Sequence, residues 1–69
     1  MSRADQVRLA NDVAAQFHHL PAAEGAAAVA AHLRSFWPPS MRADLLAAAD
    51  DPACPLDPLA RAAAQALRG

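Results

Sequence analysis

Lysine, isoleucine, threonine and tyrosine are absent from this chain, and cysteine and tryptophan occur once each, as Cys54 and Trp37. A single cysteine excludes an intramolecular disulfide and fits a reducing compartment. The β-branched residues are limited to Val7, Val13 and Val29, which leaves little material for strands. No apolar run approaches the roughly 18 residues needed to cross a bilayer. The opening Met1-Ser2-Arg3-Ala4-Asp5 lacks the basic start and apolar centre of a secretory signal. Charge is sparse too: six Arg oppose seven Asp and Glu, for a net −1 with no charge run. That excludes the electrostatic footprint of a nucleic-acid or anionic-membrane binder. No glycine-rich phosphate cradle is present. The expectation is a soluble, cytoplasmic protein that binds neither nucleic acid nor membrane.

What the chain does have is alanine, 21 of its 69 residues. Alanine is the strongest helix former, so the expected fold is all-α, a single domain over residues 1–69. Ser2 is a candidate N-cap with Asp5 three residues on, and Val7, Ala10, Val13, Ala14 and Phe17 recur at helical spacing. The first helix is expected from about Arg3 to His18 or His19. Pro21 ends that run and opens a second helix from about Ala22 to Phe36, whose first turn Gly25 weakens by roughly 1 kcal/mol relative to Ala. Pro38-Pro39 stops it and forces Trp37 out of helical geometry. A third helix is expected from Pro39 or Ser40 to about Ala49. Asp50 to Leu56 reads as a loop. Asp57 as N-cap and Pro58 at N1 start a fourth helix ending near Arg68.

Only fifteen residues from Val7 to Leu67 are larger apolars, and alanine burial contributes far less than leucine burial at about 25 cal/mol per Å². Ordering the backbone costs about 1–2 kcal/mol per residue. About four short helices are therefore expected in a small irregular bundle or an extended arrangement completed by a partner.

Catalytic and metal chemistry find little support. His18, His19, His32 and Cys54 do not follow the spacing of a zinc motif, and adjacent His18 and His19 point about 100° apart on a helix. They read as exposed helix-end histidines. Cys54 lies between prolines in a loop with no activating neighbour. A DNA-reading helix needs a basic face, and the third helix offers only Arg42 near its start. No catalytic residue, small-molecule substrate or cofactor is expected.

The segment from His32 to Arg42 stands apart: it holds the single Trp, one of two Phe, two Arg and a Met. Phe36 continues the Val29–Leu33 line and is expected in the core. Trp37 points about 100° away, held by the prolines, and fits either core or interface. Arg34 and Arg42 fit either a solvated face or an interface. Trp and Arg are the side chains most enriched at binding hot spots, and a rigid backbone lowers the ordering cost. Leu33 and Phe36 are accordingly expected inside, with Arg34, Trp37 and Arg42 as contacts.

The string His32-Leu33-Arg34-x-Phe36-Trp37-x-Pro39-x-Met41-Arg42 resembles the signature of the delta subunit of cytoplasmic, NAD-dependent, molybdenum-containing formate dehydrogenases. Upstream, Arg8, Ala10 and Asn11 match the family's helical opening, and Leu56-Asp57-Pro58-Leu59 is similar to its closing helix start. Two positions depart: Pro38 replaces an acidic residue and Ser40 an Arg. The resemblance implies a non-catalytic accessory subunit without a redox centre of its own, and one Cys cannot ligate a four-Cys iron–sulfur cluster. It implies binding to the catalytic (alpha) subunit, which carries the molybdenum cofactor, in support of assembly, cofactor insertion or stability. The partner-binding residues it implies are Arg8, Asn11, His32, Arg34, Trp37, Pro39, Met41 and Arg42. A transient assembly chaperone and a self-associating helical module remain alternative readings.

Overall fold

A computed structural model describes residues 2–68. Four helices follow one another: α1 (Arg3–Ala15), α2 (Ala22–Phe36), α3 (Pro39–Ala49) and α4 (Pro58–Arg68). Among the described residues there is no strand.

Each boundary has a local cause. The Ser2 hydroxyl accepts from the Asp5 N–H at 3.2 Å, capping α1. That helix stops at Ala15 and does not reach His18 or His19. Gln16 and Phe17 donate to the carbonyls of Val13 and Ala14, three residues back, at 3.1 and 3.0 Å. Leu20 repeats the pattern onto Phe17 at 3.1 Å. Pro21 bars helical geometry at the residue before it, and the chain tightens into successive turns on the approach. The Pro21 carbonyl accepts from Gly25 at 2.8 Å and closes the first turn of α2. At the other end Trp37 is extended (φ −97°, ψ 132°) and Pro38 likewise (φ −66°, ψ 156°). Pro39 takes N1 of α3, where its missing N–H costs nothing.

The most extensive helix pairing is not between sequential neighbours. The most extensive packing is α2 on α4, followed by α1 on α3 and α3 on α4. Although joined by the two-residue Trp37-Pro38 corner, α2 and α3 make few mutual contacts. A leucine-rich core would hold the axes apart. Here eight of the fifteen buried apolar residues are Ala, including Ala60, Ala63 and Ala64 of α4. Such faces allow close approach, and Gly25 shows how close. A Cβ built on it would meet the Leu59 methyls at 3.0 and 3.1 Å and the Phe17 carbonyl oxygen at 3.2 Å. The glycine thus lets α2 lie close to Leu59, at a spacing where an added methyl would make its neighbours give by a few tenths of an ångström.

Val29, Leu33 and Leu45 are the largest fully buried side chains, with Val7, Val13, Trp37 and Leu56 around them. Gln6 is also inside, its amide donating to the Asp44 carboxylate at 3.2 Å while its Oε1 finds no partner. The accessible surface is 3930 Å², against about 4100 Å² for a folded monomer of this mass. The bundle closes on itself, so the extended arrangement is not adopted.

Candidate functional site: the α2–α3 corner

Phe36 and Trp37 are placed opposite to the expectation for Phe36. The Phe36 ring is 74% exposed and Trp37 only 8%. The inward line of α2 runs Val29, Leu33, Trp37 at intervals of four. Trp37 N–H still donates to the Leu33 carbonyl at 2.9 Å, so the indole stays on that line although its own backbone is extended before Pro38. The larger ring removes more apolar area from water, and Phe36, on the last helical residue, is left outside. There it lies against His32, ring centroids 4.8 Å apart and tilted by 43°.

The other candidate contacts divide into two groups. Arg34, Pro39 and Arg42 line one groove of about 230 Å³ with Ala43, Leu46 and Leu67. Arg34 is exposed and donates from Nη2 to the Ala66 carbonyl at 3.1 Å, tying α2 to the end of α4. Arg42 is half-buried, and its Nε is enclosed without a hydrogen-bond partner. The carboxylates paired with arginines among the described residues are Asp5, with Arg8, and Asp50, with Arg68, so neither groove arginine is neutralised. Met41 is half-buried and packs on the core.

Arg8 and Asn11 lie elsewhere. Arg8 is exposed beside Asp5 at 4.0 Å. Asn11 is an internal brace: its amide donates to the Pro55 carbonyl at 3.1 Å and its carbonyl accepts from the Asp57 N–H at 2.7 Å. Asp57 in turn caps α4, accepting from the Leu59 N–H at 2.8 Å, and its other oxygen meets His18 Nε2 at 2.8 Å. His18 is therefore a partner of the α4 cap rather than a free helix-end histidine.

Arg61 escaped the sequence reading. Its guanidinium reaches the carbonyls of Ala49, Asp51 and Cys54, the last at 2.9 Å, gathering the end of α3 and the following loop. Only its place on the first turns of α4, after a proline-rich loop, could have signalled it. Cys54 is half-buried against the core. No group of three or more His, Cys, Asp or Glu is placed to hold a metal ion among the described residues. No helix is long and apolar enough to cross a membrane.

What the corner offers is an exposed aromatic ring, a rigid proline turn and two uncompensated guanidinium groups around an apolar groove, which are the materials of a protein-docking surface. Comparison with known proteins gives no match to a curated protein and none to a solved structure. A family model described as NADH-dependant formate dehydrogenase delta subunit FdsD matches residues 6–64. That span includes all of the His32–Arg42 segment, and the chain belongs to the FdsD family, as a delta subunit of the formate dehydrogenase complex.

Proposed function

We propose that this delta subunit is a non-catalytic accessory subunit that docks on the catalytic (alpha) subunit of formate dehydrogenase through its α2–α3 corner. In that role it supports assembly of the complex, insertion of the molybdenum cofactor or stability of the finished enzyme in the cytoplasm. The observation that carries the reading is Phe36. A phenyl ring 74% exposed on a proline-fixed corner, in a chain whose other large apolars are mostly covered, is a surface suited to a partner. Family membership supplies the complex in which that partner is found. The groove residues Arg34 and Arg42, with Pro39 beside them, extend the surface.

The test is to produce the formate dehydrogenase complex with and without this chain and compare molybdenum content and formate oxidation. Lower molybdenum occupancy without it supports a role in insertion. Equal occupancy with faster loss of activity on storage supports stabilisation. Equal values on both counts would sink the proposal. The closed bundle also suits a chaperone that leaves after assembly, since its core does not require a permanent partner. Stoichiometric presence in the purified active enzyme rules that variant out.

A further inference from the structure

Two concave surfaces compete for attention. The wider one, about 450 Å³ beside His18 and Leu59, satisfies its own polar groups, because His18 is taken by Asp57 at 2.8 Å. The smaller groove between α2, α3 and α4 does not. Arg42 makes no side-chain hydrogen bond to the described residues, and its Nε is enclosed and unpaired. Arg34 spends only Nη2, on Ala66. No Asp or Glu is among the lining residues. The chain as a whole is net negative at −1, so this is a local concentration of unanswered positive charge. A guanidinium without a counter-charge is answered best by a carboxylate, which can accept two parallel N–H bonds. The floor is apolar, from Leu46, Leu67, Pro39 and Ala43. At about 230 Å³ the space falls below the roughly 300 Å³ where small-molecule sites begin. It fits one or two protein side chains.

We infer that the groove between Arg34 and Arg42 receives an acidic segment of the catalytic subunit, an Asp or Glu carboxylate seated between the two guanidinium groups with a neighbouring apolar side chain on Leu46 and Leu67. This rests on docking to the catalytic subunit as proposed above and names the chemistry of the segment that docks. Pro38 and Pro39 hold the start of α3, and with it Arg42, in place before the partner arrives.

The experiment uses the full chain and the purified catalytic subunit, with the dissociation constant measured at about 50 and 300 mM salt. Wild type is expected to bind more weakly at the higher salt. Arg42→Gln is expected to raise Kd about tenfold or more at low salt and to flatten the salt dependence. Ala43→Glu places a carboxylate at the exposed rim without removing any hydrogen bond of the fold, and should do the same at unchanged helicity. It decides the matter if Arg42→Gln fails to fold. The chain has no Lys, so Arg42→Lys supplies the single lysine amine. Carbodiimide coupling should then join position 42 to an Asp or Glu of the catalytic subunit, located by mass spectrometry. Wild-type binding that survives Arg42→Gln and Ala43→Glu with its salt slope intact overturns the groove assignment alone, as does a formed Arg42→Lys complex that yields no crosslink at position 42. Failure of the wild type to bind at all overturns the docking proposal and this inference together.

Discussion

Phe36 and Trp37 are consecutive residues that the fold sends to opposite environments, the ring of one 74% exposed and that of the other 8%. The pair separates stability from recognition. Trp37→Ala opens the core and is expected to cost about 3–5 kcal/mol, a large share of the stability of so short a chain. Phe36→Ala should stay within about 0.5 kcal/mol of wild type while lowering recovery with the catalytic subunit. Thermal unfolding followed by circular dichroism, alongside co-purification, checks both. Comparable destabilisation by the two substitutions would contradict the placement of the rings.

Arg61 gathers carbonyls from Ala49, Asp51 and Cys54, the unsatisfied acceptors of a helix end and its loop. Arg61→Ala is expected to destabilise by about 1–3 kcal/mol, since hydrogen bonds from charged donors are the stronger kind but this one is partly solvated. Arg8→Ala removes only an exposed pair at 4.0 Å and should change stability by less than about 0.5 kcal/mol. Urea titration of the two variants side by side makes the comparison.

Asn11 and Asp57 form one network, with Asn11 accepting from the Asp57 N–H at 2.7 Å and Asp57 capping Leu59 at 2.8 Å. Each single change to Ala is expected to cost about 1–2 kcal/mol, for Asp57 chiefly as a lost cap. The double variant should fall short of their sum by at least about 0.5 kcal/mol, because the two share one loop geometry. Strict additivity in denaturant unfolding would show that the brace and the cap act independently.

Gly25 sits where a Cβ would touch Leu59 and the Phe17 carbonyl at 3.0–3.2 Å. Gly25→Ala gains about 1 kcal/mol of helix propensity and loses a similar amount to crowding, so its melting temperature should stay near wild type. Gly25→Val adds two methyls to a contact already tight and is expected to cost at least about 1–3 kcal/mol. A stabilised valine variant would mean that α2 and α4 approach less closely than described.

The helices themselves were legible from local chemistry. Prolines at 21, 38, 39 and 58, an Asp57 cap and a run of alanine set α2, α3 and α4 at the boundaries the sequence predicts, because these signals act within a turn of the backbone. The end of α1 was misjudged by about three residues. A proline announces that a helix stops before it, without saying over how many residues the chain tightens first. The delta-subunit resemblance in His32–Arg42 was also readable, and the family match bears it out.

Side-chain direction at the corner was not readable. Phe36 and Trp37 both lie within one helical step of the Leu33 line, and periodicity cannot choose between them. The choice fell to the larger apolar area of the indole, which counts only once the helices have assembled around a shared core. The same holds for Asn11, whose partners Pro55 and Asp57 lie more than forty residues away in the chain, and for the meeting of Arg34 with Arg42 in one groove. Composition and turn chemistry determined by themselves that this protein is four short, alanine-rich helices with a rigid Trp-Pro-Pro corner. Only the tertiary packing decided which of two neighbouring rings is core and which is left exposed, because burial is a competition for shared space that no local signal records.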